Sequence, residues 1–256
     1  NSQHLEQPDY SKFESRVFPP SNYSFSPLNT ESNVITSAEG FDNFYLGVDF
    51  GEPYIATNPN DFRNSATAYN INNYYVTTNG IDWVKKGVSF PGASQIGDPV
   101  LTFDSLGNLY YTQLYQSGST YGIWVTKSTD KGLTFTTTVS AHSSTVGLAD
   151  KQWITADQTG GPYSNNVYLG WRQFGSSGMR FVRSTNGGLN WSTPITLSGD
   201  QGAYVTVGAN GNVQGGNVYF GCTSGSNIRV YRSTDGGASF SAGVTAVSGI
   251  AGPGVI

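Results

Sequence analysis

Apolar and β-branched residues occur along this chain in short runs of about five, divided by stretches rich in Gly, Asn, Ser and Asp, and the runs recur in groups of four. The first runs of successive groups are residues 53–57, 99–103, 152–156 and 203–207 (Pro-Tyr-Ile-Ala-Thr, Pro-Val-Leu-Thr-Phe, Gln-Trp-Ile-Thr-Ala and Ala-Tyr-Val-Thr-Val). Second runs include 108–112, 166–171 and 217–221, third runs 123–127 and 228–232, and fourth runs 136–140 and 194–197. Short lengths, β-branched and aromatic content and flanking turn residues predict strands. The best candidate for a helix, residues 5–18, carries Pro8 near its start and Pro19 after its end, so almost no helix is expected.

A turn motif stands between the third and fourth runs of each group. Ser128-Thr-Asp130-Lys-Gly132-Leu-Thr-Phe135 matches Ser184-Thr-Asn186-Gly-Gly188-Leu-Asn-Trp191 and Ser233-Thr-Asp235-Gly-Gly237-Ala-Ser-Phe240, and a shorter copy runs from Thr77 to Trp83. The closing aromatics at 83, 135, 191 and 240 lie 52, 56 and 49 residues apart. Hydroxyl and Asp/Asn side chains bond to nearby backbone, Gly supplies positive φ, and the aromatic packs the turn onto its sheet. A four-strand unit repeated every fifty residues or so is the unit of a β-propeller, whose sheets bury their faces on one another.

The motif resembles the Asp-box, or BNR repeat, of sialidases and other propellers. The resemblance implies an all-β, sialidase-like β-propeller, six-bladed when complete, with four-stranded antiparallel blades here at about 51–92, 97–141, 150–198 and 201–248. Residues 33–256 form that domain, 33–36 read as an outer strand of a closing blade, and 252–256 read as the start of a further one. Residues 1–32 read as a tail or strap. The expectation is a chain incomplete as a folding unit, its missing blades lying outside this sequence, lost to proteolysis or supplied by another chain, with a closed four-bladed ring as the alternative.

Charged residues are only 12% of the chain, the formal charge is −4 and no Lys/Arg cluster is present, which argues against nucleic acid and anionic membranes as partners. No apolar run approaches the length of a membrane span. Cys222 is the single cysteine, so neither an intrachain disulfide nor a Cys-based metal site is expected. Low charge, abundant Ser, Thr, Asn and Tyr, and glycosylation sequons at Asn22 and Asn190 point to a secreted or cell-surface protein.

In a propeller of this kind the Asp-boxes share one face with the turns after the inner strands, and the loops that open the inner strands lie on the other, which carries the family's active sites. Glu52, Asp98 and Asp150 fall on that mouth, with Asp200 near the matching place. Two readings stand: converging carboxylates that bind a cation such as Ca2+ or act as acid and base on a glycosidic bond, or residues that cap the strand openings of every blade. The resemblance also implies an arginine triad for a sugar carboxylate. Arg172, Arg180 and Arg229 are the mouth-side arginines, but two blades supply all three, and the early Arg-Ile-Pro motif is absent. Arg183 and Arg232 are expected on the opposite face. Tyr115, Tyr121, Trp171 and Phe174 are placed either to stack on sugar rings or to pack in the core. His4 and His142 are remote from one another and form no cluster. Three functions remain open: a glycan-binding or cell-surface interaction and assembly module, a glycoside hydrolase (exo-sialidase or other BNR-repeat glycosidase), or a subunit of an extracellular polymer.

Overall fold

The computed structural model describes residues 33–36, 42–45, 51–90 and 92–250. Residues 1–32 and 252–256, with Asn22 and His4, lie outside the described residues. Strand β1 (Asn33–Thr36) pairs antiparallel with β2 (Asp42–Tyr45). The rest forms four sheets of four antiparallel strands, each with its strands in chain order, and no helix occurs among the described residues. The first blade is β3 (Tyr54–Asn58), β4 (Asp61–Tyr69), β5 (Asn73–Thr77) and β6 (Val84–Lys86). The second is β7 (Ser94–Phe103), β8 (Leu109–Ser117), β9 (Thr120–Ser128) and β10 (Thr137–Ser144). The third is β11 (Ala149–Ala156), β12 (Val167–Gln173), β13 (Met179–Ser184) and β14 (Ile195–Leu197). The fourth is β15 (Gln201–Asn210), β16 (Val213–Ser224), β17 (Asn227–Ser233) and β18 (Val244–Ser248).

The first strands β3, β7, β11 and β15 touch in series, so the blades stand side by side. Between blades one and two, Tyr74 and Phe90 meet Leu101 and Tyr111. Between two and three, Tyr110 and Ile123 meet Ile154 and Trp171. Between three and four, Tyr168 and Phe181 meet Val205 and Phe220. A sheet face covered this way is largely apolar, and β8 is buried over its first seven residues, Thr112 and Gln113 among them, as a strand covered on both sides is. The outer blades are barer: Ile55 of β3 is 62% exposed, and every residue of β18 is exposed.

The repeated turn explains how neighbouring blades hold their spacing. Ser128 Oγ accepts from Gly132 N at 2.9 Å and donates to Asp130 Oδ1 at 2.7 Å, while Asp130 accepts from Thr134 N and Oγ1. Ser184 with Asn186 and Gly188, and Ser233 with Asp235 and Gly237, repeat this arrangement. The glycine then docks on the preceding blade. Gly132, at φ 86°, receives the Tyr74 hydroxyl on its carbonyl at 2.8 Å, and a Cβ there would come within 2.4 Å of that hydroxyl. Phe135 sets its ring edge-on against Tyr74 at 5.1 Å, and Phe240 does the same to Phe181 at 4.8 Å. Trp191 packs partly buried against the core between blades two and three. Burial pushes the Asp235 carboxyl up, but hydrogen bonds from Ser239, Ser233 and backbone N–H groups outweigh it and hold the pKa down to about 2.

Two outcomes follow for stability. Replacing the buried Ser128 by Ala leaves Gly132 N without its acceptor and should cost about 1–3 kcal/mol, whereas Leu133→Ala, on the exposed side of the same turn, should change stability by less than about 0.5 kcal/mol; urea unfolding with unchanged slope measures both. Because the Asp235 pKa is depressed, its stabilisation is complete above the ordinary carboxyl value and is lost as pH falls through that value toward about 2. Acid unfolding of Asp235→Asn, followed by circular dichroism, should show a smaller drop over that range than the parent.

Candidate functional site

At the end of the blades away from these turns, the openings of all four first strands line one open cavity of about 370 Å³. Its lining comes in four equivalent triplets: Glu52-Pro53-Tyr54, Asp98-Pro99-Val100, Lys151-Gln152-Trp153 and Gly202-Ala203-Tyr204. The first residue of each triplet has a left-handed backbone, with φ of 61° at Glu52, 56° at Asp98, 48° at Lys151 and 71° at Gly202. In blades two, three and four this is where the register slips by a bulge, between Gly97 and Val100, Asp150 and Trp153, and Gln201 and Tyr204. A bulge re-aims its side chain, and in those three blades it turns the leading residue of the triplet into the cavity lining. Left-handed backbone costs an ordinary side chain about 1 kcal/mol or more. Glycine takes it freely, yet only the fourth blade uses glycine.

The charged residues at these openings engage one another. Lys151 Nζ pairs with Glu52 Oε1 and lies 3.7 Å from Asp98 Oδ1. The backbone N–H of Lys151 donates to Asp98 Oδ2 at 3.1 Å, and Gln152 Nε2 donates to the Asp98 carbonyl. Asn70, nearly buried at the β4–β5 turn, bridges the first two blades: its Nδ2 donates to Glu52 Oε2 at 2.5 Å and its Oδ1 accepts from Asp98 N at 2.7 Å. Burial pushes the Asp98 carboxyl up, the Lys151 N–H bond opposes this, and the charge of neighbouring Asp150 adds to the rise. Burial also lowers the Lys151 ammonium. Aromatic rings form the adjoining wall. Trp153 lies 4.5 Å from Tyr204 and 5.3 Å from Tyr54, centroid to centroid, and burial raises the Tyr54 phenol, with Tyr204 adding to it.

Glu52 and Asp98 line the cavity. Asp150 stands one residue before the structural equivalent of these acids, which is Lys151, and its Oδ2 accepts from Gln201 Nε2 at 2.7 Å. Asp200 caps the β16–β17 turn by accepting from Gly225 N. The mouth-side arginines bind backbone carbonyls of their own blades: Arg172 that of Gly178, Arg180 those of Ser177 and Met179, and Arg229 that of Gly243. Arg183 reaches the carbonyls of Asp235 and Gly236 in the next blade's turn, and Arg232 binds Asn217 and Asn210. Trp171 is fully buried and hydrogen-bonded to Gln173, and Tyr115 is buried against Trp124. Tyr121 is half-buried; Phe174 is exposed beneath the Arg172 guanidinium. None of these seven arginines and aromatics at the mouth-side positions lines the cavity. His142 binds Gln173 and stacks on Trp171. Asn190 is exposed in the β13–β14 turn. Among the described residues no three His, Cys, Asp or Glu side chains gather as a metal site would need, so the carboxylates are read by their pairing with Lys151.

Sequence reasoning had not singled out Lys151, Asn70, Gln152, Tyr54, Trp153 or Tyr204. A signal for four of them was present, because the aligned first runs put Lys151 level with Glu52 and Asp98 and put an aromatic second in three runs of four.

The left-handed openings make a direct test of whether these side chains serve the fold. Lys151→Gly should leave stability within about 0.5 kcal/mol of the parent or raise it, since glycine relieves the backbone and a half-exposed ion pair is worth at most about 1 kcal/mol, whereas Glu52→Gly also strips Asn70 Nδ2 of its acceptor and should be the less stable of the two by about 1 kcal/mol. Gly202→Ala, whose Cβ meets nothing within 4 Å, should cost about 1 kcal/mol from conformation alone. Denaturant unfolding of the three variants reads the difference.

No family model and no curated protein matches this sequence. Solved structures do match in fold. A Hadza microbial sialidase superposes with a TM-score of 0.53 at 11% identity, over 78% of this chain and 46% of its own. The leech intramolecular trans-sialidase superposes with a TM-score of 0.52 at 13% identity, over 77% of this chain and 51% of its own. The chain spans about half the length of these structures. Together with four four-stranded antiparallel sheets packed in series, these matches show that the chain has a sialidase-like β-propeller fold.

Proposed function

We propose that this protein is a secreted or cell-surface carbohydrate-binding module, and that the sugar occupies the cavity at the openings of the four first strands. The observation that carries the reading is the pairing, in one cavity, of the Tyr54–Trp153–Tyr204 wall with the Glu52–Lys151–Asp98 cluster. A pyranose offers an apolar ring face to the aromatics and a rim of hydroxyls to the charged groups, and such a mixture of apolar wall and few polar groups is what ligand cavities present. Three non-glycine residues held in left-handed backbone at one place strengthen it, because strain of this kind concentrates at functional sites. The fold shared with sialidases is consistent with a sugar ligand.

A second reading is favoured by one observation. Asp98 combines a raised carboxyl pKa with close approach to a second, ion-paired carboxylate, Glu52, through Lys151. A carboxyl raised in pKa with a second carboxylate near it is what a glycoside hydrolase uses as its acid.

Isothermal titration against a panel of neutral, amino and acidic oligosaccharides tests the binding reading. Tyr204→Ala, at a half-exposed ring, should weaken binding about tenfold with the fold intact, in keeping with about 1.4 kcal/mol for a lost stacking contact, and Phe174→Ala should leave it unchanged. Binding that ignores Tyr204 would remove the cavity from consideration. Release of a fluorogenic aglycone that Asp98→Asn abolishes would put the hydrolase reading first.

A further inference from the structure

Charge at the cavity carries a statement about which sugar it takes. Glu52 and Asp98 face a single cation, Lys151, and Asp150 adds negative charge beside Asp98 from outside the lining. That ammonium is already shared between Glu52 and Asp98, so it is not free to receive an anion. Arg172, Arg180 and Arg229 are committed to backbone carbonyls elsewhere and do not line the cavity. What the lining leaves unmet is acceptor capacity. Gln152, 2% exposed, gives its Nε2 to the Asp98 carbonyl, and its Oε1 has no donor among the described residues. The rings of Trp153 and Tyr204 add negative π faces, which attract a cation.

Resting on the carbohydrate reading above, we propose that the cavity selects by charge: it takes an amino sugar bearing a free ammonium ahead of a neutral sugar, and excludes a carboxylated one. The ammonium donates to the carboxylates and to Gln152 Oε1 while the ring stacks on Trp153 and Tyr204. A sugar carboxylate meets Glu52 and Asp98, with Asp150 behind them and no uncommitted cation to offset them, and like charges at such range cost more than surface charges do, since the site is partly desolvated.

The test uses three probes of equal length at about pH 6, where an amine is charged: a glucosamine trisaccharide, its fully N-acetylated form and trigalacturonate. Titration calorimetry should show the ammonium form binding about tenfold tighter than the N-acetylated form, and no binding of trigalacturonate, with the first gap shrinking as salt is raised. Lys151→Met should widen that gap and Asp98→Asn should narrow it. Asp61→Asn makes the same change in net charge on the opposite face, where Asp61 pairs with Arg63 and Lys131, and should leave the gap unchanged; an equal effect there would assign the preference to overall charge and overturn the proposal. Tighter binding of the N-acetylated form or of trigalacturonate would overturn the charge selection and leave the carbohydrate reading standing. No binding of any probe to the parent protein, together with none across the wider panel, would overturn both.

Discussion

A serine hydroxyl buried between the third and fourth strands of a blade is the contact on which the rest of the geometry depends. Ser128, Ser184 and Ser233 each tie the backbone N–H four residues on, which forces a glycine into a left-handed turn thin enough to lie on the neighbouring blade. Tyr74 binds one such glycine and Phe181 packs under another. Fixed at that end, successive sheets interleave Tyr74, Tyr111, Ile154, Trp171 and Phe220 between them, and their first strands are brought to a common line. The convergence of four strand openings at the far end is a consequence of this packing.

At that far end the opposite economy holds. The strand openings, bulged in blades two to four, hold Glu52, Asp98 and Lys151 in a backbone conformation that the fourth blade meets with Gly202. Asn70 and Gln152 then lock the openings to one another, through Asp98 in both cases. The result is a cluster in which a lysine is neutralised by acids on two other blades, beside a wall of three aromatic rings. Burial raises Asp98 and lowers Lys151, the direction expected where the loss of water around each charged group outweighs its pairing.

The fold could be read from the chain because its repeats are written in the residues that make turns. The spacing of Trp83, Phe135, Trp191 and Phe240 and the four runs per group correspond to the four observed sheets. The candidate site was harder. Glu52 and Asp98 are legible as acids at the strand openings; at the third opening the aligned runs put Lys151 level with them, while the acid Asp150, one residue earlier, is bonded to Gln201 instead. Trp171 and Tyr115, attractive as sugar platforms from their place near the loops, are core residues, since β12 and β8 remain covered by adjacent blades as far as those positions. The arginines looked available as charges and are consumed by loop carbonyls within hydrogen-bond reach, a local contact that sequence spacing does not reveal. Asn70 is tied to Glu52 and Asp98 only through the turn that carries it.

The most direct measurement is a crystal structure of the protein grown with a bound oligosaccharide. Density for a sugar ring against Trp153 and Tyr204, with its polar groups within hydrogen-bond distance of Glu52 and Asp98, is the predicted result. Density instead beside Arg172 and Phe174, or in the groove lined by Asp61, Phe62 and Lys131 on the opposite face, with the cavity at the strand openings empty, would contradict it.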